Sequence, residues 1–425
     1  MCKQKDLVQQ SIEDKTYSNF HEAIRKIFTK EYFYKDYVDN FTEHEKTFLI
    51  NLKDLRVRLR EFNYPVHNIS RLGEYNDYKD IFVVYHEADI DGHSVKIING
   101  LLNNGDMSNT FGCDVRADEA FDIIKEKLDE GMFVIVADLN FTEEYAERVE
   151  NELDTSRFIL LDHHGHAMYL NQYDWAFVLS HDEESLYLSS GTLLYSMFCV
   201  ANFNCNLILD TIIDLAMNTA LYDTWFWSSN FDYTRELSEK YFGNRPEDIC
   251  MLFKSMSKDK YAQHVLNNIN NFHDIFDNDD KLKIKFMRDM TRKTIYRYYH
   301  NMRIVNIDDK KIGIVFGDNE VSAVGNFILR ANRELSYFAM VNLNSNQIYL
   351  RCRNDYDVKE IAIRNGGGGH TQAAGFPMID ILFNDKFLID LLSKTHQVEE
   401  DCLASIKMIK DCAEFDEDTK VYRLR

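Results

Sequence analysis

Proline is scarce in this chain, with three residues (Pro65, Pro246 and Pro377) in 425, so no proline-rich linker marks a domain boundary. The eight cysteines are scattered and contain no C-x-x-C pair. That excludes a disulfide framework and a thiolate zinc site, and it points to a reduced, cytoplasmic protein. No run approaches the roughly 18 apolar residues of a membrane span. The opening MCKQKDLVQQ lacks the apolar stretch of a signal peptide, so no membrane partner is expected. Positive charge is also in deficit: 49 Lys+Arg face 70 Asp+Glu, for a net charge of −21. Residues 81–230 hold 26 acidic and 6 basic side chains, whereas 301–380 hold nine of each. A surface that grips long nucleic acid by its phosphates needs the opposite sign, and no basic track stands out. The acidic excess reads either as a solvated face or as carboxylates that collect divalent cations.

What is present is an ordinary hydrophobic content of 45%, enough for a buried core in two or three domains. Apolar residues three and four apart in HEAIRKIF and FLINLKDLRVRLREF predict a helical extension over 1–79. From 81 the period changes. IFVVY (81–85), MFVIVA (132–137) and RFILL (157–161) are unbroken apolar runs separated by helix-like stretches, the pattern of a parallel α/β sheet over 80–230. Residues 231–305 read as a helical connector. Strand patterns return at KIGIVFG, YFAMVNL and QIYLRCR, giving a smaller α/β segment over 306–380, and 381–425 reads as a helical tail. The expected fold class is therefore α/β, with two lobes joined by helices.

Ligands of parallel sheets bind beyond the carboxyl ends of the strands. The first run leads into His86-Glu-Ala-Asp89-Ile-Asp91-Gly92, the second into Asp138, and the third into Asp162-His163-His164. Asp223 closes the apolar stretch LILDTIIDLAMNTALYD. One aspartate at a strand end usually caps the next helix. Acid or imidazole at three successive strand ends, facing one crevice, is a metal-site pattern. Oxygen-rich ligation with one or two imidazoles suits Mn²⁺ or Mg²⁺ better than structural zinc. Two such cations clamp a phosphate ester during hydrolysis. Far along the chain stands Gly366-Gly367-Gly368-Gly369-His370, in a protein with only 17 glycines. Successive glycine amides can turn toward one anion, with His370 as a further donor. The small residues after it, Ala373, Ala374 and Gly375, leave room for a helix packed beneath the loop. Trp225 and Trp227 read as core or interface aromatics, and His166 and His181 as ordinary polar residues.

These residues, in this order, resemble the DHH phosphoesterases with the DHH-associated C-terminal domain, a RecJ-related superfamily that includes the nanoRNases. His86, Asp89-Ile90-Asp91-Gly92, Asp138, Asp162-His163-His164 and Asp223-Thr224 match its four catalytic motifs, and Gly367 through Gly375 match the GGGH..AAG signature. The resemblance implies a DHH catalytic domain over 80–230 and a substrate-binding domain over 306–380. It implies one Mn²⁺ (Mg²⁺ as the alternative) on His86, Asp89 and Asp138. A second would rest on Asp91, Asp138, His163 and Asp223, with Asp138 bridging. His164 would face the scissile phosphate, Asp162 would orient the histidines, and the nucleophile would be a metal-bridging hydroxide. Arg351, Gly367, Gly368, Gly369 and His370 would hold the rest of the substrate. The His86–Asp89 spacing departs from both the His-x-x-x-Asp and His-x-Asp branches, which leaves His93 as a substitute donor.

The expected function is hydrolysis of short single-stranded RNA or DNA, or of dinucleotides, to mononucleotides. A RecJ-like exonuclease on single-stranded DNA and a cyclic or linear dinucleotide phosphodiesterase share the same core. An inactive nucleotide sensor would have lost metal ligands, and none is missing here. A manganese pyrophosphatase would lack the glycine–histidine signature. Oligomeric state has no signal in the sequence.

Overall fold

The computed structural model of the chain describes residues 19–29, 41–62, 80–114, 116–180, 188–202, 209–224, 226, 232–243, 245–268, 276–307, 310–353, 356–378, 413–416 and 421–424. Two helices, α1 (19–29) and α2 (Glu43–Glu61), come first. A capping box starts α2: the Thr42 side chain accepts from the Glu45 amide, and the Glu45 carboxylate accepts from the Thr42 amide.

The first sheet holds β1 (Ile81–His86), β2 (Thr110–Cys113), β3 (Phe133–Ala137), β4 (Phe158–Asp162) and β5 (Ala176–Val178). All neighbours are parallel, in the order β2-β1-β3-β4-β5. Helix α3 (Ile90–Leu102) lies between β1 and β2, α4 (Phe121–Asp129) between β2 and β3, and α5 (Glu143–Glu152) between β3 and β4. After β5 come α6 (Gly191–Asn202) and α7 (Leu209–Asp223). Every residue of β3 and β4 is buried, because helices cover both faces of the sheet. One face packs against α1, α2, α3, α6 and α7, the other against α4 and α5. Alternate side chains of β3 serve the two cores, with Ile135 on one and Val134 and Val136 on the other.

Four helices follow: α8 (Asp232–Tyr241), α9 (Arg245–Lys254), α10 (Lys258–Asn268) and α11 (Asn278–Asn301). The first three bury Leu237, Tyr241, Met251, Leu252, Tyr261 and Val265 in the core shared with the first sheet. The 24-residue α11 alone runs on to the second sheet. There, β6 (Arg303–Ile307), β7 (Lys310–Phe316), α12 (Val321–Ala331), β8 (Tyr337–Asn342), β9 (Gln347–Cys352), α13 (Lys359–Arg364), β10 (Gly368–His370) and β11 (Ala373–Pro377) build a sheet of order β10-β11-β9-β8-β7-β6. Only β7 and β8 pair in parallel. Its two faces carry separate cores, one under α11 and α12, the other under α13.

One expectation needs correction. The described residues of the expected helical tail form strands, β12 (Ala413–Asp416) and β13 (Val421–Leu424), paired antiparallel. In β12 the apolar Ala413 and Phe415 alternate with Glu414 and Asp416, the strand period, which the surrounding charge obscures, whereas Val421-Tyr422-Arg423-Leu424 of β13 shows no such alternation. The small residues after the glycine run form strand β11 and leave room for a helix against them, as expected. The helix packed against them is α13, which precedes the run, with Ala362 and Ala374 in one core. Among the described residues no helix is long and apolar enough to cross a membrane.

Candidate metal centre

The carboxyl ends of β1, β3 and β4 meet the amino end of α3 and the carboxyl end of α7, and this brings the motif residues together. His86 ends β1, and Asp89 caps α3, accepting from the amides of Asp91 and Gly92 at 3.0 and 3.2 Å. A Cβ on Gly92 would lie 1.8 Å from the His86 carbonyl oxygen, so only glycine lets α3 begin this close to β1. Asp91 is fully buried, and the amides of Gly191 and Thr192, at the start of α6, donate to its two oxygens at 2.7 and 3.1 Å. Asp138 follows β3 with φ of +61°, the left-handed region that non-glycine residues seldom occupy. Strain of this kind persists where surrounding contacts fix the backbone, and it gathers at functional sites. Here the Asp138 amide donates to the Leu161 carbonyl at 3.0 Å.

His86 Nδ1 lies 3.1 Å from Asp89 Oδ2 and 3.6 Å from Asp138 Oδ2. His163 Nε2 lies 3.2 Å from Asp138 Oδ1, 3.5 Å from Asp223 Oδ2 and 3.8 Å from Asp91 Oδ2. Three overlapping groups result: His86, Asp89 and Asp138; Asp91, His163 and Asp223; and Asp138 with Asp162, His163 and His164. Within each group the donor atoms lie within 4.8 Å of one another.

The electrostatics show what is missing. Burial, then the charges of Asp91 and Asp89, push the Asp138 carboxyl well above the usual range. Burial and Asp91 do the same to Asp223. Burial works against a charged His86, but the carboxylates of Asp138 and Asp89 outweigh it and raise the imidazole to about 11. His163 is likewise raised against burial, by Asp223 and Asp91. Carboxylates that resist ionising beside imidazoles that hold protons mean too much negative charge in too little water. Both Asp138 oxygens are buried without a hydrogen bond of good geometry. Divalent cations fit this donor set: they would displace the protons and satisfy those oxygens.

Asp162 is different. Although fully buried, it stays well below the usual carboxylate range because His164 and His163 outweigh burial. It accepts from the His163 amide at 2.8 Å, and its Oδ1 lies 2.7 Å from His164 Nδ1. Any role of His164 toward a phosphate therefore falls to Nε2. Asn140 escaped the sequence reading here, and it draws in His166, which reads from the sequence as an ordinary polar residue. Asn140 Nδ2 lies 3.4 Å from Asp162 Oδ2 and 3.3 Å from His166 Nε2, so Asn140 links His166 to the Asp162 carboxylate. Asn140 stands two residues after Asp138, on a strand end already flagged, and that position was the available signal. His93 does not join the cluster. Its Nε2–H donates to the Glu87 carbonyl at 3.1 Å and its ring packs edge-on against Tyr85.

In the second sheet, β10 lies against the 3-10 segment Gly165–Gln172 that follows His164, so the glycine run reaches the metal cluster's edge. Part of its backbone is already committed. The amides of Gly366 and Gly367 donate to Ile363 and Ala362 and close α13, while Gly368, Gly369 and His370 pair with β11. Gly367 therefore has no amide to offer an anion. The side chain of His370 lies outside the described part of the structure, as do Trp225, Trp227 and His181. Arg351 runs beneath α12, donating through Nη2 to Ser322 Oγ at 2.8 Å and through Nη1 to the Leu350 carbonyl. Burial lowers its pKa to about 10.

No protein-family model matches the chain. It is 26% identical over 310 residues to the oligoribonuclease NrnB of Bacillus subtilis strain 168, across 71% of this chain and 74% of that protein. A solved DHH domain, described as a member of the s1p family of ribosomal proteins, superposes with a TM-score of 0.51. That match has 12% identity and covers 93% of this chain and 99% of the other. The exonuclease RecJ bound to manganese gives a TM-score of 0.45 at 13% identity, over 75% of this chain and 90% of that one.

Proposed function

We propose that this chain, a DHH-family phosphoesterase, hydrolyses short single-stranded oligonucleotides to mononucleotides with two Mn²⁺ ions, and works in the cytoplasm as its scattered cysteines led us to expect. The observation that carries the two-metal part is the position of Asp138: its two oxygens belong to both the His86–Asp89 group and the His163 group. In this reading His86, Asp89 and Asp138 hold one cation, and Asp91, Asp138, His163 and Asp223 hold the other. Bound cations would neutralise phosphate charge and supply hydroxide at neutral pH. Asp162 fixes the His164 ring through Nδ1, so that Nε2 can donate to a non-bridging oxygen of the scissile phosphate. Asn140 Nδ2, 3.4 Å from the other Asp162 oxygen, helps hold the carboxylate for this task. Oxygen ligands with two imidazoles favour Mn²⁺ over zinc.

Likeness to an oligoribonuclease over 74% of its length supports the substrate class. The test is a panel of end-labelled RNA and DNA from two to about twenty nucleotides, with cyclic dinucleotides alongside, all with Mn²⁺. Conversion of di- to pentanucleotides to mononucleotides, with much slower turnover of the longest strands, is the expected result. Processive digestion of long single-stranded DNA would replace this reading with a RecJ-like one. Cleavage of cyclic dinucleotides alone would make the enzyme a dinucleotide phosphodiesterase.

A further inference from the structure

Against a net charge of −21, helix α11 runs the other way: its 24 residues carry seven Lys+Arg and three Asp. Four of the cations, Lys281, Lys285, Arg288 and Arg292, recur at intervals of four, three and four, which puts them along one side of the helix. Arg288 and Arg292 line a cavity of about 660 Å³ between α9, α11 and the start of α12, and Lys285 and Lys281 continue the same side of the helix beyond it. Asp223 and Tyr222 line one end of it, so the cavity begins at the metal cluster. Tyr296 and Phe327 line it too, their rings 5.9 Å apart and inclined at 70°, with Tyr296 56% exposed.

The charges in this wall are not equivalent. Arg288 is committed to Glu247 and Asp248, which pins α11 to α9. Lys254 is paired with Glu320 at 3.2 Å and ties α9 to the segment before α12. Arg292 is 65% exposed, and its nearest carboxylate, Asp289, is 4.0 Å away. Lys281 and Lys285 are exposed and form no ion pair among the described residues. Three cations spread over eleven residue steps of helix, roughly 16 Å, therefore face outward beside a cavity whose inner end is a candidate phosphate-cleaving site. The volume suits a small organic ligand, and a half-exposed aromatic ring beside cations is the composition of a single-strand binding groove.

We propose that this cavity and the adjoining side of α11 hold the nucleotides beyond the scissile phosphate, with Tyr296 stacking on a base and Arg292, Lys285 and Lys281 following the sugar–phosphate backbone. The proposal rests on the oligonucleotide reading of the metal centre. It makes α11 a substrate-binding element as well as a link between the sheets. No step of bond cleavage is assigned to it.

The test compares wild type, Lys285→Glu/Arg292→Glu and Tyr296→Ala, all loaded with Mn²⁺. Binding of a fluorescein-labelled pentanucleotide is read by anisotropy in the slow His164→Ala background across a salt series, and kcat/KM is read without that substitution. The charge-reversed protein should bind at least tenfold more weakly. The slope of log K against log salt should fall in magnitude by about 1.4, for two lost phosphate contacts on a single strand. Tyr296→Ala should weaken binding about tenfold with the slope unchanged, because stacking releases no counterions. Losses in kcat/KM on the pentanucleotide should follow the binding losses. Pentanucleotide binding and turnover equal to wild type in both variants overturns the proposal. Should the wild type bind through α11 yet cleave no oligonucleotide, the groove stands and the reading of the metal centre fails.

Discussion

Replacing Gly191 by alanine alters no candidate ligand, yet it should disable the site. A Cβ at position 191 would lie 2.3 Å from Asp138 Cβ, 2.7 Å from its Cα and 2.9 Å from its Cγ. Carbon atoms rest at roughly 3.5–4 Å, so something has to retreat by about 1 Å or more. Asp138 has little freedom to do so: its backbone is already left-handed and its amide is held by the Leu161 carbonyl. If α6 retreats instead, Asp91 loses the amides of Gly191 and Thr192. Either route moves a carboxylate of the cluster. A misplacement of about 1 Å costs on the order of 100-fold in rate, or about 2.7 kcal/mol, and overpacking adds about 1–3 kcal/mol of lost stability. The assay is kcat on a dinucleotide at saturating Mn²⁺, with Mn²⁺ affinity by calorimetry and the melting temperature alongside. Gly105→Ala is the control. There φ is +93° and no atom lies within 4 Å of the added carbon, so backbone strain lowers stability while the rate holds. Wild-type turnover in Gly191→Ala would refute the claim that Asp138 and Asp91 must stay where they are.

Within the histidine pair, His163→Ala should lose one Mn²⁺ per chain. His164→Ala should keep both and lose about 2.7–4 kcal/mol of transition-state stabilisation; equal metal loss by calorimetry would contradict this division. His93 supplies a pH test. Burial, reinforced by Lys96, lowers its pKa from 6.5 to about 4, so the folded protein keeps it neutral where the unfolded chain binds a proton. The stability held by neutral His93 is present above about pH 6.5 and is lost as pH falls toward 4, by about 3 kcal/mol in all. Urea unfolding of metal-free protein at pH 7.5 and 4.5 should show a smaller drop for His93→Gln than for wild type, and parallel drops would refute the assignment.

The first sheet was legible where strands are buried on both faces, because an unbroken apolar run such as FVIVA has few other uses. Its edges were not: Ala176–Val178 is three residues long, and Thr110–Cys113 is only partly buried. In the second sheet, β6 alternates nothing and is mostly exposed, so its residues carry no period. The motif residues at the site could be read because acid and imidazole at consecutive strand ends have a shared destination. The amides of Gly191 and Thr192 that hold Asp91 could not, since backbone donors leave no trace in side-chain chemistry. The cationic side of α11 was hidden differently. The helix lies between the acidic segment 81–230 and the neutral segment 301–380, where the net charge of the whole chain masks it. Its cations also align only once the helical turn is known.

The central claim is that two cations share Asp138 and that cleavage needs both. Metal-stripped protein titrated with Mn²⁺, with bound metal counted by equilibrium dialysis and dinucleotide turnover measured at each step, tests it most directly. Wild type should bind two Mn²⁺ per chain and gain turnover with the second equivalent, and Asp138→Ala should fill neither position. Full turnover at one equivalent, or two filled positions in Asp138→Ala, would contradict the account.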